Sequence, residues 1–418
     1  MSDIAAKLAA RWQARSPGDL ANRLAAPFYG QAGNWDLPKD VTPKRDLLYL
    51  AVGIPDSASL PKDILREAAV RVYEQPGDVA LRYGFGQGPV KLREWLADYR
   101  NQTDPAQVDE NWFQLTNGSS GAIDLIVRTM IDPGDVIIAE DPTYMGTLHN
   151  FRGVGADIRF VSMDDEGLNT DHLTDVLAQL KEEGRTVKLI YTISAFHNPT
   201  GATLSLRRRE ALLQLAYEHD VMILDDEAYR DLWYDTPPPP ALSALADGYG
   251  VITTGTFSKT VATGLRVGWV HARPEIIELF GNMRFAMGQN GVGIRTVQEF
   301  LGGGHFTPHV EKIREIYRRK RDILDAALRR EVGDALTWQV PQGGFYLWAT
   351  VNAPLTVTDL WRTGVEEGIA VNPGSGFSPT GESQCVRIAY AWTPEDQLEE
   401  AARRLGIACK RVADGDVA

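Results

Sequence analysis

Lys259 is one of 43 lysines and arginines in the chain, and only its neighbours set it apart. It closes the segment Thr256-Phe257-Ser258-Lys259, which follows an apolar, strand-like run, and Arg266 stands seven residues further on in Gly264-Leu265-Arg266-Val267-Gly268. Two hydroxyls, an amine and a guanidinium are thereby gathered between the end of one strand and the start of the next. Hydroxyls and a bidentate arginine suit a phosphate dianion. A lysine beside other cations and shielded from water has a lowered pKa and becomes a nucleophilic amine. Together they suit a phosphorylated aldehyde; the plain alternative is a cationic loop beside a buried strand.

Three other segments carry complementary groups. Asn117-Gly118-Ser119-Ser120-Gly121 opens the apolar-periodic run Ala122 to Met130. Small residues at a helix start leave backbone N–H groups free at the positive end of the dipole, where phosphate binds; a simple capped helix start fits the same residues. Ile223-Leu224-Asp225-Asp226-Glu227-Ala228-Tyr229 puts acids immediately after a buried strand, at the carboxyl edge where open α/β sheets bind ligands. Asp226 is the candidate to keep a pyridinium nitrogen protonated, which makes the ring an electron sink. Tyr229, three residues on, is placed to donate to a phenolic ring oxygen. A capping aspartate with a half-buried tyrosine is the bland reading of the same pair. His197-Asn198-Pro199-Thr200-Gly201 carries turn signals and in isolation reads as a tight loop.

The elements that must position these groups follow from periodicity. Between about residues 130 and 275, apolar and β-branched runs at Val136 to Ala139, Ile158 to Ser162, Lys188 to Ser194, Val221 to Leu224, Val251 to Thr254 and Val267 to Val270 alternate with helical patterns. Such alternation predicts crossover units and a mostly parallel sheet covered on both faces. The segment Ser205 to His219 predicts a helix capped by Ser205, with an apolar stripe at Leu212, Leu215 and Ala216 and solvent-facing arginines at 207, 208 and 209. From Pro308 a new pattern through Ile313, Ile316, Tyr317 and Ile323 to Leu328 predicts one long amphipathic helix linking two domains. Beyond it, a Gly343-Gly344 turn, strand-like Phe345 to Trp348, a helix around Thr358 to Gly368 and strand-like Val386 to Ala389 make a smaller α+β domain. The division expected is an N-terminal segment 1–55 packing with the small domain, a large domain 56–304, and a small domain 305–418 that includes the long helix. At 418 residues the chain exceeds the size at which a single core keeps growing.

Composition narrows the functional classes. A net charge of −13 opposes binding to phosphate backbones and anionic membrane surfaces, so nucleic acid and membrane are not expected partners. No run approaches the roughly 20 apolar residues of a membrane helix. The two cysteines, Cys385 and Cys409, have no metal-type spacing, and the N-terminus lacks the apolar stretch of a secretory signal, which fits a cytoplasmic setting. His305 and His309 are four apart, but Pro308 lies between them and no glutamate follows the first, so no metal site is expected.

Taken as an ordered set, Gly118 to Gly121, Asp141-Pro142-Thr143-Tyr144, His197 to Gly201, Asp226 to Tyr229, Ser258-Lys259, Arg266 and Cys385-Val386-Arg387-Ile388 resemble the fold type I pyridoxal 5'-phosphate (PLP) enzymes, specifically the class I/II aminotransferases. The serine-bearing helix start, Thr143-Tyr144 and Gly264-Leu265-Arg266 are most similar to the 2-aminoadipate and kynurenine aminotransferase branch. The resemblance implies an aspartate aminotransferase-like α/β fold and amino-group transfer from an amino acid to a 2-oxo acid, with 2-oxoglutarate as acceptor. It assigns Lys259 the Schiff base and the proton shuttle, Asp226 the pyridine nitrogen, and Tyr229 and Asn198 the ring oxygen. Tyr144 would stack on the ring. Ser119, Ser120, Thr256, Ser258 and Arg266 would take the phosphate, and Arg387 the substrate carboxylate. Gly53 would let backbone approach the substrate, and Tyr83 would reach the phosphate of a neighbouring subunit, which implies a homodimer. Thr256 stands where the family commonly has serine, and the passage between Gln31 and Tyr49 fits no motif.

Two alternatives remain open at this level. Another reaction on the same scaffold, such as β-elimination at a carbon–sulfur bond, cyclisation or oxidation, uses the same cofactor groups. A binding module is the other: a dinucleotide reader built on Gly84-Phe85-Gly86-Gln87-Gly88, or the PLP-fold effector domain of a transcription regulator. The glycine run lacks a preceding parallel strand and a suitably spaced acid. Side-chain specificity is not readable; Arg23 is one arginine that would suit a distal carboxylate.

Overall fold

In the computed structural model, residues 3–13, 37–84, 86–283 and 288–418 are described. The strand-forming runs assemble into a sheet of eight strands in the spatial order Phe113–Thr116, Gly268–His271, Val251–Thr256, Met222–Asp226, Val187–Thr192, Val136–Asp141, Asp157–Asp164 and Gly167–Leu168. The five from Val251–Thr256 to Asp157–Asp164 pair in parallel. Gly268–His271 returns antiparallel on Val251–Thr256. That return needs no crossover helix, because antiparallel neighbours are joined by a loop, and here the loop is the stretch that carries Lys259 and Arg266.

Both faces of the sheet are apolar, as a doubly covered sheet requires. Ile137 and Ala139 pack with Ile123, Ile126, Leu148, Phe151, Ile277 and Phe280 on one side. Val136 and Ile138 pack with Leu173, Leu177, Leu180, Leu212 and Leu242 on the other. The helix Leu206–His219 is capped by the Ser205 side chain, which accepts from Arg208 N. Its arginines correct the expectation of a solvent-facing row. Only Arg207 is exposed. Arg208 donates to Leu168 O and Asp164, and the fully buried Arg209 donates to Leu204 O and Ser194 O. A guanidinium can be buried here because its donors meet loop carbonyls, Leu204 O and the second lone pair of Ser194 O, which also accepts from Leu204 N.

A second, antiparallel sheet has the order Leu336–Trp338, Tyr346–Val351, Cys385–Ala389, Asn372–Pro373. The 27-residue helix Phe306–Val332 joins the two halves. Its start, Phe306 and Val310, packs with Leu96, Phe257 and Val267 of the large sheet's layer, and its remainder, from Ile313 to Val332, packs with the small sheet. Strand Leu48–Tyr49 pairs in parallel with Ile369–Ala370, and Leu50 O and Ala51 O accept from Ala389 N and Arg387 Nη2. The described part of the passage before Tyr49 lies along the helix Val357–Glu366, through Asp40 to Arg362 and Lys44 N to Glu366 O. Arg23 lies outside the described residues, as does Phe85 of the glycine run. Gly88 lies against the edge strand: a Cβ there would sit 2.7 Å from Leu115 Cδ1, and Leu115 N donates to Gln87 O. The run therefore packs against an edge strand and leads into the helix Val90–Thr103, but among the described residues no strand immediately precedes it, as a dinucleotide-binding turn would need.

Replacing Arg209 by Met keeps most of the volume, leaves Leu204 O without its donor and leaves Ser194 O with Leu204 N alone. An orphaned buried carbonyl costs about 1–3 kcal/mol, so Arg209→Met is expected to lower the urea midpoint clearly, whereas Arg207→Met on the exposed turn leaves it unchanged.

Candidate active site

All the residues to which the family resemblance assigns a role, except Tyr83, line one cavity of about 280 Å³ at the carboxyl ends of the parallel strands. Tyr83 is 73% exposed and stands outside it. A larger groove of about 690 Å³ beside residues 200–203 and 337–342 has no lysine or arginine in its lining.

At the inner end, Asp226 closes the strand Met222–Asp226 and is buried. Tyr191 donates to its Oδ2 at 3.3 Å, and Oδ1 meets no hydrogen-bond partner among the described residues. Burial pushes its carboxyl up to about 6, even though Tyr191 and the nearby Lys259 ammonium favour the charged form. Lys259 Nζ donates to Gly53 O at 3.0 Å. Burial, then the positive charges of Arg387 and Arg266, bring its amine down to about 8 against the opposing pull of Asp226.

The opposite end is a cradle of donors. The 13-residue helix Gly118–Met130 starts at the cavity with Ser119 and Ser120 in its first turn. Gly118 has φ +78° and Arg266 φ +51°, so both turns use left-handed backbone. Arg266 Nη2 donates to Asn117 O at 3.4 Å. The helix start is pressed onto the strand: a Cβ on Gly268 would lie 2.5 Å from Gly118 C and 2.7 Å from Ser119 N. Thr256 Oγ1 lies 2.9 Å from Ser258 Oγ and accepts from Ser258 N.

Towards the small sheet, Arg387 of the strand Cys385–Ala389 is buried. It donates to Asn198 Oδ1 at 2.9 Å, Ala51 O at 2.8 Å and Asn372 Oδ1 at 2.9 Å. None of these acceptors is a carboxylate. Asn198 is held from behind by its neighbour His197, whose Nε2 lies 3.1 Å from Glu140 Oε2 and whose Nδ1 lies 2.9 Å from Thr200 Oγ1. Tyr144 caps the helix Met145–Gly153 at the cavity mouth. Tyr229 Oη is 2.7 Å from Tyr346 Oη.

Sequence reasoning missed Tyr346, which reads only as one residue of a strand after a Gly-Gly turn, and Tyr191, the interior of a buried strand. It also missed the ion-pair layer behind Asp226. Arg100 donates to Glu227 at 2.8 Å and Arg230 to Asp104 at 2.6 Å, with every side chain nearly out of solvent. Burial opposes ionisation of Glu227, but Arg100 and Arg230 outweigh it and hold its carboxyl low. Asp225, on the same strand end, is pushed up by burial and by the Glu227 charge. The three consecutive acids thus have three environments. Asp225 is pushed toward its neutral form, Asp226 faces the cavity, and Glu227 is clamped by arginines.

The sequence pattern of the family described as "Aminotransferase class I and II" matches residues 45–405. The chain belongs to this family. The aromatic-amino-acid aminotransferase 1 of Thermococcus litoralis is 33% identical over 368 residues, 86% of this chain and 87% of that protein. The crystal structure of LysN, the alpha-aminoadipate aminotransferase of Thermus thermophilus, complexed with N-(5'-phosphopyridoxyl)-L-leucine, superposes with a TM-score of 0.85 at 30% identity, over 96% of this chain and all of that one. An uncharacterized HTH-type transcriptional regulator of Bacillus subtilis, YisV, is 31% identical over 87% of this chain, but only 75% of its own length is matched. The aminotransferase therefore has the fold type I α/β architecture, acts on amino and oxo acids, and has among its described residues no helix long and apolar enough to cross a membrane.

Two measurements test this site. Because the Lys259 amine is neutral above about 8 rather than near the ordinary value of about 10.4, reductive labelling of Lys259 by an aldehyde in the cofactor-free aminotransferase should rise with a midpoint near pH 8, with surface lysines reacting only at higher pH. Glu227→Gln removes one of the two buried carboxylates that face Arg100 and Arg230, Asp104 being the other, and is expected to destabilise by about 3 kcal/mol in urea unfolding. Asp225→Asn, at a carboxyl that burial already pushes toward its neutral form, should cost less.

Proposed function

We propose that this aminotransferase binds PLP and transfers the amino group of an L-amino acid to a 2-oxo acid, with 2-oxoglutarate as acceptor, by a ping-pong reaction through a Schiff base on Lys259. The observation that carries the reading is one cavity holding a half-buried amine brought down to about 8, a buried carboxylate whose Oδ1 has no partner among the described residues, and a donor cradle at a helix start. These residues fit the cofactor. Asp226 Oδ1 is the acceptor a ring N–H needs. The cradle of Ser119, Ser120, Thr256, Ser258 and Arg266 suits its phosphate, and the tight packing of Gly268 on Gly118 leaves no side chain in the way. When bound, the cofactor supplies the electron sink that lets the bond between Cα and its hydrogen ionise.

The chain's own groups supply the rest. Lys259, neutral over part of the working pH range, takes up and returns the proton at the substrate's Cα. Asp226, kept anionic by a cationic partner, holds the ring nitrogen protonated. Tyr229 donates to the ring oxygen, as does the amide nitrogen of Asn198, whose oxygen is taken by Arg387. Tyr144 covers the ring face. Arg387, rigidly held and without a carboxylate among the acceptors named above, grips the substrate's α-carboxylate as a fork, and Gly53 keeps the approach clear of a side chain. The choice of 2-oxoglutarate rests on the family resemblance. A homodimer is supported by the exposed apolar residues Val70, Tyr73, Leu81 and Tyr83 on neighbouring segments, with Tyr83 free to meet a second copy's phosphate site. The large domain is taken as residues 56–304 and the small one as 305–418, with the segment before 56 packed on the latter.

The test is a screen of L-amino acids against the PLP-loaded protein, following conversion of its visible band to the pyridoxamine form and the stoichiometric yield of amino acid from added 2-oxo acid. Equal yields of the two products support transamination, whereas release of ammonia with pyruvate would assign a β-eliminating reaction instead. Lys259→Ala should lower turnover by at least roughly 10³-fold and abolish the spectral conversion.

A further inference from the structure

Tyr346 belongs to the small sheet, in register with Ala389, yet its hydroxyl reaches the cavity wall of the large one. It is 2% exposed. Its Oη lies 2.7 Å from Tyr229 Oη, with the two rings edge to face at 5.6 Å. On the other side the Arg387 guanidinium lies over its ring at 4.3 Å. The hydroxyl also occupies the space above Gly53: a Cβ there would fall 2.0 Å from Tyr346 Oη. Gly53 is therefore required by this tyrosine, and Gly53 O is the acceptor that holds Lys259 Nζ. One phenol thus touches the groups assigned to the ring oxygen and the substrate carboxylate, and the backbone that fixes the amine.

The proton count gives the pair a direction. Tyr229 Oη and Tyr346 Oη have no other hydrogen-bond partner among the described residues, and each brings one proton. Burial and the neighbouring Tyr346 keep Tyr229 well above the ordinary phenol value, so Tyr229 keeps its proton at neutral pH. If Tyr229 gave its proton to Tyr346, the Tyr346 proton would have no acceptor, and a ring oxygen in the cavity would lose its donor. The arrangement that satisfies both sends the Tyr346 proton to Tyr229 and the Tyr229 proton into the cavity. A donor that is itself receiving a hydrogen bond is strengthened, by about 10–30% in chains of this kind.

We propose that Tyr346 is a positioning residue, whose hydroxyl donates to Tyr229 and so aims and strengthens the Tyr229 hydrogen bond to the cofactor's ring oxygen, while its ring supports Arg387. This rests on the assignment of Tyr229 to the ring oxygen made above. A donor at that oxygen favours the form of the bound chromophore that has lost its proton, because there the oxygen's negative charge is not shared with a neighbouring N–H. Weakening the donor therefore moves the titration of the resting enzyme's visible band to higher pH.

The experiment titrates that band in PLP-loaded wild type, Tyr346→Phe, Tyr229→Phe and the double variant. Tyr346→Phe keeps the ring under Arg387, so KM for the amino acid should stay within about two-fold. The midpoint should rise by about half a pH unit for Tyr346→Phe and by about one unit or more for Tyr229→Phe. The double variant should match Tyr229→Phe, because Tyr346 acts through Tyr229. Equal shifts from Tyr346→Phe in both backgrounds, or no shift in either, would overturn the proposal and leave Tyr346 a packing residue. No shift on Tyr229→Phe would instead remove the ring-oxygen assignment on which the proposal stands. Urea midpoints and bound-cofactor content, measured on each variant, separate a lost fold from a lost hydrogen bond.

Discussion

Asp226, buried, and Lys259, half-buried, line the same cavity and form no ion pair with each other. Each is displaced toward its neutral form, the carboxyl upward and the amine downward, chiefly because burial penalises the charged state. Direct contact would satisfy both and leave nothing for a ligand. The separation is imposed from outside the pair: Gly53 O takes the amine, Tyr191 takes one carboxylate oxygen, and Arg387 and Arg266 add positive charge around the amine. Unpaired buried groups cost stability, and an aldehyde whose ring nitrogen and phosphate reach both ends of the cavity would recover much of that cost on binding.

The scaffold tolerates this because its charges are sorted by layer. On the strand Met222–Asp226 and just beyond it, successive acids face different sides. Asp226 meets the cavity, while Asp225 and Glu227 turn toward Arg209, Arg100 and Arg230. The arginines buried behind the sheet compensate charge where no ligand goes, so they do not neutralise Asp226. A similar division operates at Asn198, where His197 and Glu140 fix the loop from the rear and leave the asparagine to meet Arg387.

The contribution of the small sheet is Arg387 and Tyr346, from paired strands. The segment Leu50 to Gly53 links them to the large domain by giving carbonyls to Ala389 N, Arg387 and Lys259. A change in how the two sheets pack would therefore move the carboxylate fork, the Tyr346 hydroxyl and the lysine's anchor together.

Much of this was present in residue types and spacing. Short continuous apolar and β-branched runs alternating with helical stripes defined the doubly covered sheet, because a strand buried on both faces carries apolar residues at successive positions. The lysine loop, the serine-bearing helix start and the acids after Met222–Asp226 were legible because each lies at the end of a local element, where a ligand edge is expected. Three things were not legible. Arg208 and Arg209 look like a solvated face, yet carbonyls from distant segments bury them. Glu227 and Asp226 are adjacent and chemically alike, and contacts such as that from Arg100, far away in the chain, set Glu227 apart from the cavity. Tyr346 looks like ordinary strand core until the small sheet is laid against Gly53 and Tyr229. The sequence by itself set the elements and the inventory of reactive groups, since those depend on local pattern and composition. Tertiary structure alone decided which groups are desolvated, which are paired and which are left unpaired toward a ligand, since those depend on contacts between segments far apart in the chain.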